Sequence, residues 1–283
     1  AGLGIRTLSF GDIRVFGTTI HVSLVLLLLA TVIATFGVIT RSTATVIGAM
    51  IVAPLMGPIM ATAAAVVMGS THRAVRALAL VGAGVISVIV LSFILTMIDP
   101  GLTISFTENA ELASRVSPGL IALLTALASG AAGAYIVSRE ELSDSMGGVA
   151  IAISLVPPLC VVGIALEQRE FHYALGALTL FLTNFLAILL AGGVTFMLGG
   201  LGRLALEGDN VRMRKRAFAL IIVATLVVAV PLSTTSYQVV MNSLETRVST
   251  DVISTWLAGT AFEPLQVEVD SERVTTSIVG YGD

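Results

Sequence analysis

Charge is what this chain has least of. Only 12% of its 283 residues are Asp, Glu, Lys or Arg, the formal net charge is -3, and no basic run is flanked by stacking aromatics. Nucleic acid is therefore not expected as a partner, since phosphate recognition needs a concentrated cationic surface. A single cysteine, Cys160, rules out an internal disulfide, and with no CxxC or Cys/His cluster there is no thiolate metal or redox signal. The three histidines, His21, His72 and His172, fall in no His/Glu ligand spacing, so no metal site is expected. GxSxG is absent, and Ser154 has no histidine or lysine in its segment. Nucleophilic catalysis lacks its parts, no cofactor is expected, and the chain is not read as an enzyme.

Apolar sequence is what the chain has in excess: 56% of the residues are hydrophobic and the mean hydropathy is +0.99. A bilayer core about 30 Å thick is crossed by roughly 20 apolar helical residues. Seven charge-free runs of that length or more extend from Val15 to Thr40, Ser42 to Thr71, Ala77 to Ile98, Val116 to Ser138, Ser145 to Leu166, Phe171 to Gly202 and Ala217 to Leu244. They predict an all-α polytopic membrane protein with about seven transmembrane helices. The first run is too long for the apolar region of a cleavable signal, and the start at Ala1 points to a trimmed N-terminus.

Basic residues orient the spans, because positively charged loops stay in the cytoplasm. One face collects Arg6, Arg14, Arg73, Arg76, Arg139, Arg203 and the cluster Arg212, Arg214, Lys215 and Arg216; the other holds Arg41, Arg115, Arg169, Arg247 and Arg273. The N-terminus is expected in the cytoplasm and the C-terminus outside, in a bacterial inner membrane. The cluster RMRKR suits a topology anchor on anionic lipid. Arg139, Glu140, Glu141 and Asp144 read as a solvated cytoplasmic loop.

Shifted by about 100 residues, the chain resembles itself. GAMIVAPL from Gly48 matches GVAIAISLVPPL from Gly148 at Pro54 and Pro157, HRAVRAL from His72 returns as HYALGAL from His172, and Arg41 and Arg139 precede the two proline segments. Each copy holds three spans, an odd number, so the second enters the membrane from the opposite side: an inverted repeat. The expected organisation is an interfacial segment at 1–17, a first repeat at 18–98, an extracytoplasmic loop at 99–117 and a second repeat at 118–202. A basic cytoplasmic loop at 203–216, a seventh span at 217–237 and an extracytoplasmic element at 238–283 follow. In that last element YQVVMNSLETRVSTDVISTWLAG, from Tyr237, has helical spacing, while LQVEVD and RVTTSIVGYG alternate as two strands, a small α+β tail.

The prolines interrupt segments that otherwise look like plain spans. Pro54 and Pro58 remove backbone donors, while Gly48 and Gly57 permit close approach or non-helical angles. Backbone groups freed this way cannot face lipid, so they are buried in protein or line a polar cavity. Pro157 and Pro158 impose the same condition on the fifth run. Ionisable groups are nearly absent from the spans, leaving Thr43, Thr45, Ser154, Thr183 and Asn184 as neutral polar side chains. Asn184 either bonds across a helix interface as glue or contacts a solute. Small-residue stretches such as ATAAA from Ala61 and ASGAAGA from Ala128 read as close-packing faces.

GAMIVAPLMGPI, the segment from Ser117 to Leu166 and GALTLFLTNFLAILLAG from Gly176 to Gly192 resemble the membrane family known as domain of unknown function 389, over about residues 30 to 195. The resemblance implies a multi-helix membrane core of mainly prokaryotic occurrence and supplies no catalytic residues. From the residues themselves, the expected function is transport or conduction of a small ion or polar solute by a homo-oligomer in the lipid bilayer. The expected site comprises Gly48, Pro54, Gly57, Pro58, Ser154, Pro157, Pro158 and Asn184. The competing expectation is a non-transporting scaffold or sensor whose extracytoplasmic tail binds a partner.

Overall fold

The computed structural model describes residues 13–98, 104–106, 108–116, 119–139, 155–201, 212, 215–219, 221–223, 225–227, 256, 262–270 and 273–280. The chain divides into two units, Ala1–Ala229 and Val230–Asp283.

In the first unit the described elements are helices, as they must be where no water is available to pair backbone groups. They are α1 (Ile13–Ile39), α2 (Thr43–Val52), α3 (Met56–Val67), α4 (Thr71–Thr96), α5 (Ala110–Val116), α6 (Leu120–Val137), α7 (Val156–Glu167) and α8 (Phe171–Leu198). Four stretches are long and apolar enough to cross a membrane: His21–Ile39, Thr71–Thr96, Leu120–Val137 and Phe171–Leu198. Helices α2 and α3 together make a fifth, bent by 52° between them. Of the predicted run from Ser145 to Leu166 the described part is essentially the short helix α7, and the last predicted run is described only as helical turns as far as residue 227. The first helix already runs from Ile13, ahead of the span start expected at residue 18.

Side chains sort as lipid contact requires. Ile86, Ile98, Ile121, Leu175 and Leu198 stand exposed on the outside of the long helices, a surface that water would penalise and hydrocarbon does not. By contrast every residue of α7 from Val156 to Ala165 is buried. Helix α7 packs against α1, α4 and α8, and α3 packs against α4 and α8. Glycines set the closest crossings. A Cβ on Gly163 of α7 would lie 2.6 Å from the Ile89 carbonyl oxygen and 2.7 Å from Ser92 Cβ of α4, and one on Gly130 of α6 would lie 2.7 Å from Ile188 Cα of α8. Neither position admits any other side chain without a shift of backbone.

Three helix-to-helix turns share one hydrogen-bond pattern. After α3 the amides of Met68, Gly69 and Ser70 bond to the carbonyls of Ala64, Val66 and Ala65; after α7 those of Gln168, Arg169 and Glu170 bond to Ile164, Leu166 and Ala165. The same i-4, i-3, i-5 pattern joins Thr40, Arg41 and Ser42 to Phe36, Val38 and Gly37. The middle residue is left-handed in each, at φ 60° for Arg41, 68° for Gly69 and 60° for Arg169. These turns satisfy carbonyls at a helix end before the chain reverses. The turns at Gly69 and Arg169 occur 100 residues apart, with α3 and α7 each 12 residues long before them and α4 and α8 of 26 and 28 residues after them. The offset met in the sequence is thus repeated in the backbone of the two helical hairpins.

In the second unit β1 (Phe262–Asp270) and β2 (Arg273–Gly280) form an antiparallel hairpin, where alternation places two strands. Its register shifts between Pro264 and Gln266, beside the one residue unable to donate to the ladder. Of the helix expected from Tyr237, Trp256 alone is among the described residues, and it is helical and exposed.

Candidate functional site

Helix α2 stops because Pro54 cannot supply the amide that the Met50 carbonyl would otherwise take. Ala53 makes the last helical bond, to the Ala49 oxygen, and then adopts an extended angle of ψ 121°. Leu55 returns to helical angles and opens α3 with no side-chain cap. Pro58 is the third residue of α3, where a missing amide costs no intrahelical bond because the first four amides of a helix have no partner there. Its carbonyl accepts two-centre support from the helix that follows, including the Thr62 hydroxyl at 2.8 Å. Pro54 and Pro58 are half-buried, Leu55 and Met56 are buried, and Gly57 is exposed.

Gly48 and Gly57 do not act as their chemistry allows. A Cβ at either would meet nothing within 4 Å, and neither has a left-handed φ. The close-contact glycines are Gly163, Gly130 and Gly176, the last lying against the Val116 carbonyl. Sequence alone does not single these out, because close approach depends on which residue faces a neighbouring backbone.

Pro157 and Pro158 occupy the first turn of α7, both buried. They start a helix there, at positions that tolerate proline; the part of the predicted run that precedes them, 145–154, lies outside the described residues. Ser154 lies outside the described residues. Asn184 is half-buried, and its Oδ1 is fully buried with no hydrogen-bond partner among the described residues. Among those residues the glue role expected of it is not carried by that oxygen.

In the first hairpin a Cβ on Gly84 would lie 3.3 Å from Leu55 Cδ2, at the start of α3; Leu155 and Asn184 are the residues 100 positions on in the sequence. Pro54, Gly57 and Pro58 lie around the start of α3, and Pro157 and Pro158 lie at the start of α7. Helix α2 meets the later part of α7, where its Val46 and Met50 share an apolar cluster with Val161, Val162, Ile164 and Ala165.

The neutral polar residues are mostly occupied. Thr183 donates to the Thr179 carbonyl at 2.7 Å, Thr45 pairs with Ser42 at 2.8 Å, and Thr43 donates to Glu111. A buried chain not anticipated from sequence joins three helices. Thr35 of α1 donates to Ser92 of α4 at 3.0 Å, and Ser92 donates to the Cys160 carbonyl of α7 at 2.8 Å. It lies beside the Gly163 crossing, where close helices bring such short side chains into range. Also unanticipated are Asn109 and Glu111, buried polar residues in a segment expected to be only a loop.

Residues 50–190 match the domain of unknown function 389, a range that contains both proline groups and Asn184 and excludes Gly48. An uncharacterized protein of Methanocaldococcus jannaschii is 30% identical over 208 residues, which are 74% of this chain and 63% of that protein. The chain thus spans less than two thirds of the length of this curated relative. No solved structure matches. Through residues 50–190 the chain belongs to the family of the domain of unknown function 389.

Proposed function

We propose that this membrane protein moves a small ion or polar solute across the bilayer, as a carrier or channel and not as an enzyme, through a site between the starts of α3 and α7. The observation that carries the proposal is the bent span, with its interruption at Pro54 inside apolar sequence. Unpaired backbone in hydrocarbon costs several kcal/mol per group and is retained where it lines a path or contacts a ligand. The buried Oδ1 of Asn184, without a partner among the described residues, adds a second unsatisfied group of the same kind; the 100-residue offset from Gly84, which faces Leu55, would put it level with the start of α7. Gly48, Pro54, Gly57, Pro58, Ser154, Pro157, Pro158 and Asn184 are the residues proposed to line or shape the site.

The wider architecture is part of the proposal. Seven spans are arranged as two three-span repeats of opposite orientation, with the N-terminus cytoplasmic and a small α+β element outside, in a homo-oligomer. The shared turn and hairpin geometry at an offset of 100 residues supports the repeat, and inverted repeats with broken helices are the usual frame of a midplane transport site.

A non-transporting scaffold or sensor is the second reading. It is favoured by the β1–β2 hairpin, which forms a unit of its own and in which each strand has one partner among the described residues. A free strand edge of this sort suits strand addition by another protein.

The deciding experiment is the thermal stability of the purified protein against inorganic ions and small polar solutes, because a ligand of the native state raises stability by mass action. A saturable shift that is lost in Pro54→Ala is the expected result. Absence of any shift across a broad panel, with the protein folded, would move the balance to the scaffold.

A further inference from the structure

The connector between α4 and α6 is fastened at one end of the bundle by an unusual set of contacts. Asn109, 2% exposed, donates from Nδ2 to the Val38 carbonyl at 2.9 Å, an oxygen at the end of α1. Its Oδ1 accepts the amide of Glu111 at 3.0 Å and so caps α5. Glu111, 8% exposed, accepts the hydroxyl of Thr43, the first residue of α2, on one carboxylate oxygen. Its other oxygen lies 2.7 Å from the Arg115 guanidinium. On the opposite side Phe106 stacks on Tyr173 of α8 with ring centroids 4.5 Å apart, and the Val116 carbonyl presses on Gly176 of α8. Phe106 and Leu112 are buried in the cluster formed by Val46 and Met50 of α2 with Val161 and Val162 of α7.

A surface loop connecting two spans needs none of this. A buried ion pair recovers little net stability, because desolvating both charges offsets their attraction, and its best-attested use is to specify one arrangement over another. The arrangement specified here is the seating of the first turn of α2 against α5 and α7. Helix α2 is the half of the bent span that leads from this end to the break at Pro54.

We propose that Asn109 and α5 are a latch: Asn109 and Glu111 hold the outer half of the bent span closed over the α2–α7 seam, and release of Glu111 from Thr43 opens a water path along that seam. The latch rests on the transport reading for its purpose, and its opening can be measured without any solute.

The experiment uses the full chain in vesicles, with Cys160→Ala to remove the native thiol and Val46→Cys as reporter, since Val46 is fully buried beneath the connector. Labelling by a hydrophilic maleimide is expected to be slow in this background. In Thr43→Val and in Glu111→Gln it is expected to rise about tenfold or more, the range set by loss of a hydrogen bond to a charged group when labelling follows local opening. Thr179→Ala, on the exposed side of α8 and away from the connector, should leave it unchanged. Unchanged labelling in folded Thr43→Val overturns the latch; this variant removes one hydroxyl from an exposed residue and decides the matter should Glu111→Gln fail to fold. Accelerated labelling without any solute-dependent thermal shift would keep the latch and count against transport.

Discussion

At the scale of single residues, glycine shows how far identity and role can diverge. Gly163 sits where a methyl group would strike the Ile89 carbonyl, whereas Gly48 has open space around its missing Cβ. Gly163→Ala should therefore destabilise the protein by about 1–3 kcal/mol through overpacking. Gly48→Ala, in the middle of a helix, should be neutral or stabilising by up to about 1 kcal/mol. Equal shifts in thermal unfolding for the two variants would contradict the close crossing of α4 and α7. Asn184 makes a sharper case. Because its Oδ1 has no partner among the described residues, Asn184→Leu loses no described hydrogen bond through that atom, and stability should hold or rise by about 1 kcal/mol while any solute-dependent shift disappears. A drop in stability with the solute response intact would return Asn184 to the role of helix glue.

Among the elements, the two short helices look alike and differ in what their prolines do. Pro54 ends α2 and creates the bend; Pro157 and Pro158 lie in the first turn of α7, where fixed φ suits a helix start. Pro157→Ala should change stability by no more than about 1 kcal/mol, by altering mainly the unfolded chain. Pro54→Ala gives the Met50 carbonyl an amide again and is expected to straighten α2 into α3, which the accessibility of a cysteine placed at the break would report. A protein in which both substitutions act alike would argue that the bend is imposed by neighbours instead of by Pro54. The spacing of prolines in a charge-free run made the bend legible from sequence. The left-handed Arg41 and Arg169 were not legible, because arginine has no preference for that region; it is adopted there because the reversal into the next helix closes three carbonyl bonds.

For the molecule as a whole, the proposed inversion makes a direct prediction about matched positions. His72 and His172 both stand exposed in the first turn of α4 and α8, 100 residues apart on the same backbone turn. In a Cys160→Ala background, His72→Cys should react with an impermeant thiol reagent from the cytoplasmic side and His172→Cys from the outside. Labelling of both from one side would exclude an inverted repeat, whatever the likeness of the two hairpins. The proposed path between the repeats depends on this geometry.

Apolar helices, the interruption at Pro54 and the alternating strands at 262–280 are properties of consecutive residues. They follow from sequence because apolar backbone in a bilayer must bond to itself locally, and because proline acts on its own turn. Tertiary structure decided everything that depends on residues far apart in the chain: the crossing at Gly163, the Thr35–Ser92–Cys160 chain, the orphan oxygen of Asn184, and the seating of Asn109 and Glu111 against the ends of α1 and α2. No local pattern specifies these, since a polar or small side chain gains its role only from the backbone that packing brings opposite it.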